Sequence, residues 1–518
     1  MKILDSYVCG DWHRAADGFA SLIDPSTEQE LAKASSAGID FERVLAHARE
    51  LGGPALRAMT FAERGQLLKA MGKALKEHRD ELLELSARSN GSTTPDGSFD
   101  IDGAGGTLSY YAFVGKKLGD RKMLTDGAGV QLARSEGFWG QHVLVPRHGV
   151  AVHINAFNFP AWGFAEKAAC ALLAGMPVIT KPATATALVA ARCAEIVIEA
   201  GILPPGALQL VCGRTGNLLD LLGPQDVLAF TGSADTALKL RDRDNLRQTN
   251  TRINVEADSL NAAVLAPDLE AETFDLFVRD VAREMTQKSG QKCTAVRRIL
   301  VPTEHLDTVR ERLVERLDRV VTGDPAAEGV KMGPLATASQ LADAERGVAE
   351  LRAAGAEIVY GTGKRVDGAG ADAGKGYFFG PTLLLADPSA AEAVHRREVF
   401  APVATLLPYD GSAAEAARLV ALGGGTLVTS AYGDDEAWLG AFVAGAACTT
   451  GRLYLGSQGS AGDAMGSGVA LPQCLHGGPG RAGGGEELGG EVGLGIYLQR
   501  VALQGSRGQV EALAGVGD

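Results

Sequence analysis

The sequence lacks the features of a secreted, membrane-bound or nucleic-acid-binding protein. Its 518 residues carry a formal net charge of −13 and contain no basic cluster, which argues against nucleic acid and anionic membranes as partners. No run of about 18 apolar residues occurs, and the N-terminus has no apolar segment of the signal-peptide type. The seven cysteines have no metal-ligand spacing and are typical of reduced thiols, so no metal site is expected. These absences predict a cytoplasmic protein.

The remaining composition is that of an ordinary globular protein with more than one domain. Apolar residues make up 46% of the chain and charged residues 22%, and the length exceeds what one simple core usually holds. From Gly149, short apolar runs alternate with helix-like stretches, which indicates an α/β fold with a parallel sheet. Strands are expected at residues 149–154, 177–180, 208–212 and 227–231. A second alternating series after Ala257 predicts a second α/β domain, with the boundary near Glu256.

Polar or small residues follow these strands, namely Asn158, Lys181, Gly213 and the turn 231–233. Ligands of such sheets bind beyond the carboxyl ends of the strands, so these residues are expected to face a ligand. Outside the two α/β series, residues 129–134 and 140–146 alternate as a hairpin, and residues 495–503 predict a terminal strand. A hairpin together with a terminal strand suggests sheet extension between protomers.

Cys293 is the main candidate for a reactive side chain. It stands among Gly, Ser, Gln and Lys residues, whereas Cys170 and Cys193 lie in apolar runs typical of structural cysteines. A nucleophilic thiol needs access and thiolate character, which a polar, glycine-lined loop can provide. The position suits a nucleophile, but taken alone it is more often that of a structural cysteine, and only the other segments of the chain can raise the first interpretation above the second.

Four segments in chain order resemble the aldehyde dehydrogenase superfamily across nearly the whole chain. They are residues 155–162, 252–259, 290–293 and 397–402. The resemblance implies an α/β aldehyde dehydrogenase fold with a Rossmann-like cofactor domain, a second α/β catalytic domain and a small β bridging domain, assembled as a homodimer. It places these parts as follows: cofactor-binding domain 1–126 and 148–256, catalytic domain 257–470, and oligomerisation or bridging segments 127–147 and 490–518.

The resemblance also assigns catalytic roles. Cys293 would attack an aldehyde substrate, and Asn158 with the backbone N–H of Cys293 would stabilise the thiohemiacetal oxyanion. After hydride transfer to a nicotinamide, Glu256 would activate water to hydrolyse the thioester. Glu398 matches the residue that bonds the nicotinamide ribose, and Lys167 matches a lysine near the cofactor and the proton path.

Each of these residues also has an ordinary structural interpretation. Asn158 before Phe-Pro is typical of a turn, Glu256 at a strand end of a solvated carboxylate, and Glu398 in a charged run of the surface. His153, inside an apolar strand, is expected to be a core histidine rather than a catalyst. Only the joint occurrence of the four segments favours the catalytic interpretation.

The resemblance further places a dinucleotide along the strand ends. The predicted cofactor-binding residues are Lys181, Thr184, Gly213, Gly216, Gly232, Ser233 and Glu398. Family members that favour NAD often carry Glu three residues after the lysine, where it bonds the ribose 2′-hydroxyl and repels a 2′-phosphate. Thr184 occupies that position here, so NADP is the expected cofactor and NAD the alternative.

The glycine-rich tail at residues 471–490 is unusual within the superfamily. It resembles the tail of members that oxidise a CoA-linked semialdehyde in aerobic aromatic degradation, which implies an aldehyde on a CoA thioester as substrate. No residue independently indicates a CoA site. Three alternatives stay open: a dehydrogenase of small aliphatic or aromatic aldehydes, a CoA-acylating aldehyde dehydrogenase, and a binding protein on the same fold.

Overall fold

Two seven-stranded sheets form the framework of the protein, which a computed structural model describes over residues 2–135 and 137–515. The first sheet contains, from edge to edge, the strands Arg252–Glu256, Val227–Thr231, Ala151–Ile154, Val178–Lys181, Leu208–Leu210, Ser6–Val8 and Asp11–His13. The second contains Glu357–Tyr360, Thr382–Leu385, Val403–Tyr409, Arg298–Pro302, Ala262–Leu265, Thr426–Tyr432 and Thr450–Gly456. Ser6–Val8, Asp11–His13 and Glu357–Tyr360 pair antiparallel with their neighbours, and the remaining strand pairs are parallel. The predicted α/β fold class is confirmed.

Three smaller sheets contain the remaining strands of the described chain. The first pairs Lys2–Leu4, Glu30–Ala34 and Ala20–Ile23, the second pairs Leu475–Gly477 with Glu486–Leu488, and the third pairs Leu498–Gly505, Trp139–Pro146 and Leu124–Gln131. The α-helices are Phe41–His47, Gly53–Ala58, Phe61–Glu77, Arg79–Asn90, Thr94–Leu118, Pro160–Ala174, Ala187–Glu199, Ala234–Arg241, Asp244–Gln248, Ala271–Thr286, Leu306–Leu317, Ala338–Ala353, Ala413–Ala421, Glu436–Ala446 and Arg507–Ala514. Of the helices described, none is long and apolar enough to cross a membrane.

The four strands expected in the first α/β series are present, with ends that differ by up to two residues. Their side chains alternate between two cores: Ala151 packs in one core and Val152 in the core on the opposite face. Because both faces of a covered parallel sheet are buried, these strands are continuous apolar runs rather than alternating ones. The same arrangement holds in the second sheet, where Ala262 and Ala263 belong to different cores.

The terminal strand is Leu498–Gly505, three residues later than expected, because residues 490–497 form a 3₁₀ helix. It pairs antiparallel along its whole length with Trp139–Pro146 of the same chain. The hairpin and the terminal strand therefore already form one sheet within the protomer.

Gly290 is the position in the loop before Cys293 that most clearly requires glycine. Its φ is +66°, and a Cβ there would lie 2.3 Å from the Ala401 carbonyl oxygen. We expect Gly290→Ala to destabilise the protein by about 2 to 4 kcal/mol, since a left-handed conformation and an overpacked contact both disfavour the added methyl. Gly106→Ala is the control, because a Cβ at Gly106 meets no atom within 4 Å and the residue lies in a helix. Denaturant unfolding of both variants checks this, and equal midpoints would contradict it.

Candidate active site

The loop that carries Cys293 follows an unusual backbone path. Lys288, Ser289 and Gly290 have successive left-handed φ angles of 53°, 56° and 66°, directly after the helix Ala271–Thr286. Ser289 Oγ donates to the Gly333 carbonyl at 2.8 Å. Beyond the turn, Asn261 Nδ2 donates to the Cys293 carbonyl at 2.7 Å. The thiol is therefore held by anchors on both sides of the loop.

Glu256 and His476 meet the thiol at this loop. Glu256 is the last residue of its strand and is buried, and His476 lies on the strand Leu475–Gly477. His476 Nε2 is 3.3 Å from Glu256 Oε1 and 3.8 Å from Cys293 Sγ. A carboxylate, an imidazole and a thiol thus converge from three separate segments.

The charges of these groups shift one another's protonation. Burial and the Glu256 carboxylate raise the pKa of the Cys293 thiol well above its ordinary value. Burial favours a higher pKa for Glu256, but the charge and hydrogen bond of His476, together with the charge of Lys167 and a hydrogen bond from Cys293, outweigh burial and lower the pKa of that carboxyl. Burial opposes protonation of His476, yet the Glu256 carboxylate raises the pKa of the imidazole. The favoured state is a neutral thiol beside an ionised Glu256 carboxylate, which in turn favours protonation of His476.

Asn158 is attached to the thiol loop. Its Nδ2 donates to the backbone carbonyl of Gln291 at 2.9 Å, two residues before Cys293. The side chain is buried, and because a primary amide carries two N–H hydrogens, this bond leaves the second available.

Cys293 lies between two cavities that share a wall. The larger is a groove along the strand ends of the first sheet, and the smaller is lined by Phe99, Phe159 and Trp162. These three rings contact one another edge to face, with centroids 5.3 to 5.9 Å apart. The residues that line both cavities are Ala156, Asn158, Thr231, Glu256 and Cys293. Two reactants bound in the separate cavities would meet at the thiol.

Lys167 is the centre of a buried ion-pair cluster close to Glu256. Its Nζ lies 2.9 Å from Glu166 Oε1 and 3.2 Å from Glu487 Oε2, and Asn254 Nδ2 donates to Glu487 Oε1 at 3.0 Å. Burial opposes the charged lysine, but the surrounding carboxylates raise the pKa of Lys167 well above its ordinary value. Burial raises the pKa of Glu487 to about 7. The cluster therefore contains a carboxyl group that titrates near neutral pH.

Four of the predicted cofactor residues line the larger groove: Lys181, Gly232, Ser233 and Glu398. Glu398 Oε2 accepts from the Ser259 N–H at 3.2 Å. Its Oε1 is 3.5 Å from Arg297 Nε, but has no hydrogen-bond partner among the described residues. Burial raises the pKa of Glu398 to about 7. The groove thus offers a buried acceptor to a ligand hydroxyl.

The other three predicted cofactor residues lie outside the wall of that groove in the described chain. Thr184 Oγ1 donates to the Gly213 carbonyl at 3.3 Å. A Cβ at Gly213 would lie 2.5 Å from the Ser36 nitrogen, and one at Gly216 would lie 2.7 Å from the Phe41 ring. Close packing against the N-terminal segment therefore accounts for both glycines without a ligand.

His476 and Glu487 were not predicted as functional residues. They lie opposite each other on paired antiparallel strands of the glycine-rich tail. Their contacts with Cys293 and Lys167 span 183 and 320 residues of sequence. The closely spaced glycines around them were the only indication in the sequence that this segment packs against another backbone, because glycine permits close backbone approach.

Comparisons with known proteins agree with this geometry. Residues 12–458 match the aldehyde dehydrogenase family. A 3,4-dehydroadipyl-CoA semialdehyde dehydrogenase from Aromatoleum evansii is 47% identical over 479 residues, which cover 92% of this chain and 93% of that protein. The NADP(+) succinate-semialdehyde dehydrogenase GabD of Escherichia coli (strain K12) is 28% identical over 80% of this chain and 83% of its own. A solved betaine aldehyde dehydrogenase from Staphylococcus aureus in complex with NAD+ has a TM-score of 0.84 at 26% identity, and covers 97% of this chain and 94% of its own.

The Lys167 cluster can be tested by removing its cation. Lys167→Met should destabilise the protein by about 3 to 5 kcal/mol, because it leaves buried carboxylates without a partner. The loss of unfolding free energy should be larger at pH 8 than at pH 6. Glu487 has a raised pKa in the folded protein and about 4.3 when unfolded, so the stabilising proton is bound at low pH and lost as the pH rises through the folded pKa.

Lys117→Met is the matched control for Lys167→Met. Lys117 Nζ lies 3.3 Å from Glu491 Oε1, but the side chains are 66% and 48% exposed. Exposed pairs contribute about 0 to 1 kcal/mol, so this variant should lose little at either pH. Urea unfolding at both pH values measures the difference, and similar losses in the two variants would refute the role of burial.

Proposed function

The chain belongs to the aldehyde dehydrogenase family, and we propose that it oxidises a CoA-linked semialdehyde to the free acid with NADP. It is an NAD(P)-dependent oxidoreductase that acts on an aldehyde. The observation that carries the proposal is the position of Cys293, between two cavities and beside Glu256 and His476.

Cys293 is the proposed nucleophile. Its sulfur attacks the aldehyde carbon, and the carbonyl oxygen becomes a thiohemiacetal oxyanion. The second amide N–H of Asn158 and the backbone N–H of Cys293 are the proposed donors to that oxygen. The bond from Asn158 to Gln291 holds the amide in place before the substrate arrives, which lowers the cost of reorganisation.

The larger groove fits a dinucleotide, because it is long and follows the carboxyl ends of parallel strands. When bound there, the nicotinamide supplies the hydride acceptor. Glu398 Oε1, which has no hydrogen-bond partner among the described residues, is suited to accept from a ribose hydroxyl. Lys181 and Ser233, from two other strand ends, line the same groove.

Glu256 is the proposed base for hydrolysis of the Cys293 thioester. Its buried carboxylate is on the wall common to both cavities, where a water molecule could approach the acyl carbon. Lys167 and Glu487 are proposed to pass the released proton outwards, since Glu487 has a pKa of about 7. A base positioned for water favours the free acid over transfer of the acyl group to CoA.

The proposed substrate class rests on two observations. The relative that is 47% identical over 92% of the chain is named for 3,4-dehydroadipyl-CoA semialdehyde. The smaller cavity has an aromatic wall of Phe99, Phe159 and Trp162, which suits the apolar carbon chain next to the aldehyde. Plain aliphatic or aromatic aldehydes would fit the same wall and remain the second candidate class.

Thr184 supports NADP as the proposed cofactor. Threonine is uncharged, so the position has no charge that would repel a 2′-phosphate. Its hydroxyl donates to the Gly213 carbonyl. Among the relatives described above, GabD is named as an NADP(+) enzyme and the betaine aldehyde dehydrogenase was solved with NAD+.

We also propose a homodimer formed through the sheet of Leu498–Gly505, Trp139–Pro146 and Leu124–Gln131. Both of its outer strands have an edge that is unpaired within the described chain. Val130 and Val501 on these strands are 53% and 39% exposed. Open edges with apolar side chains favour pairing with a second copy.

Glu256→Gln should separate the two halves of the reaction. Acylation of Cys293 should proceed and deacylation should stall, because the amide cannot take a proton from water. Stopped-flow absorbance should show about one equivalent of reduced nicotinamide per active site, followed by slow turnover. Steady-state turnover equal to that of the unmodified enzyme would remove Glu256 from the base role, and Cys293→Ala should show no burst.

The substrate and cofactor are tested together by steady-state kinetics. A CoA-linked semialdehyde and a plain aldehyde of matched length are each assayed with NADP and NAD. We expect the CoA-linked substrate with NADP to have a kcat/KM higher by orders of magnitude, and the product to be the free acid even with CoA present. Equal values for the plain aldehyde would overturn the CoA assignment and leave the catalytic one intact.

Thr184→Glu should reverse the cofactor preference, because the added carboxylate repels the 2′-phosphate of NADP. Thr184→Gln is the uncharged control of similar size and should keep the preference for NADP. Preference for NAD in the unmodified enzyme would show that an uncharged residue at position 184 does not select NADP.

A further inference from the structure

His476 lies beside the proposed nucleophile but has no role in the catalytic steps proposed above. Its Nε2 lies 3.8 Å from Cys293 Sγ and 3.3 Å from Glu256 Oε1. The residue is buried, at 5% exposure, and lines the smaller cavity. One imidazole nitrogen is therefore next to both the nucleophile and the carboxylate.

We propose that His476, in its neutral form, is a catalytic residue that accepts the thiol proton of Cys293 at Nε2. The S–H bond breaks, an N–H bond forms, and the electron pair stays on the sulfur, which then attacks the aldehyde. The adjacent Glu256 carboxylate stabilises the imidazolium. When the thioester is hydrolysed, the departing sulfur takes the proton back from Nε2, while the proton of the attacking water goes to Glu256. This inference rests on the proposed role of Cys293 as the nucleophile.

The reason that the thiol needs such a partner is electrostatic. Burial and the nearby Glu256 carboxylate both raise the pKa of Cys293, so a thiolate without a cation beside it is disfavoured. Glu256 is a poor acceptor for that first proton, because His476 lowers the pKa of its carboxyl. The neutral imidazole, whose affinity for a proton Glu256 increases, is the better acceptor, and once protonated it is the cation that the thiolate requires.

Other charged residues around His476 also influence the protonation of the Glu256–His476 pair. Glu166 acts on it from the helix Pro160–Ala174, Glu487 lies opposite on the paired strand, and Arg452 acts from the strand Thr450–Gly456. The carboxylates favour the imidazolium and Arg452 opposes it. The acid limb of any pH profile therefore belongs to the Glu256–His476 pair and not to one residue.

Thiol alkylation tests the inference without an aldehyde substrate. The full-length enzyme is treated with iodoacetamide across a range of pH, and Cys293 modification is followed by mass spectrometry in the unmodified protein, His476→Phe and His476→Gln. Loss of the imidazole should slow Cys293 alkylation at pH 7 by about tenfold or more and move its pH profile to higher pH. Cys448, an exposed thiol in the same samples, should react at an unchanged rate.

Three results would overturn the inference. These are an unchanged Cys293 profile in both His476 variants, an equal loss at Cys448, or a larger loss in Glu256→Gln than in His476→Phe, which would make Glu256 the thiol base. Thermal unfolding confirms that the variants are folded, and His476→Gln supplies the test if His476→Phe is not. Failure of the wider proposal has a different signature, because aldehyde oxidation would then survive in Cys293→Ala whatever the alkylation rates.

Discussion

The buried carboxylate of Glu256 is the constraint on which the site depends. A carboxylate at 3% exposure is tolerated only if charges and donors compensate it, and here His476 and Lys167 do so. Lys167 in turn needs Glu166 and Glu487, and Glu487 is bonded by Asn254. Asn254 is on the same strand as Glu256, so this series of polar contacts begins and ends on one strand. A strand, a helix and the C-terminal tail are held together by one chain of polar contacts.

The glycines of the tail follow from that arrangement. The tail runs against the backbone of the strand that ends in Glu256, where Gly485 N–H donates to the Val255 carbonyl and Ala257 N–H donates to the Ala482 carbonyl. A Cβ at Gly483 or at Gly485 would lie 2.3 or 2.4 Å from the Val255 oxygen. Side chains are excluded there so that the strands bearing His476 and Glu487 can reach the site. The unusual composition of the tail is thus a packing requirement of the cluster around Cys293 and Glu256.

Local patterns were enough to predict the strands and the residues at their ends. The apolar runs of the first sheet were correctly located, and His153 is buried in the core as expected, with Nε2 3.2 Å from the Tyr497 hydroxyl. His476 and Glu487 could not be found in the same way, because their contacts depend on the path of a distant tail and not on any local period. At Gly213 and Gly216 close packing against the N-terminal segment also requires glycine, so a glycine motif by itself does not distinguish a ligand contact from packing. Sequence reasoning is strongest at strand ends and weakest where remote segments meet.

The polarity of the two cavities explains why proton transfer has to be built into the protein. On one side of Cys293 an aromatic wall of Phe99, Phe159 and Trp162 limits water, which favours a clean hydride transfer but also disfavours a bare thiolate. Acidic groups concentrated near the thiol add to that penalty. An apolar, acidic pocket therefore gains reactivity only when a base lies within reach of the sulfur. The convergence of an imidazole and a carboxylate at Cys293 meets this requirement without opening the pocket to solvent.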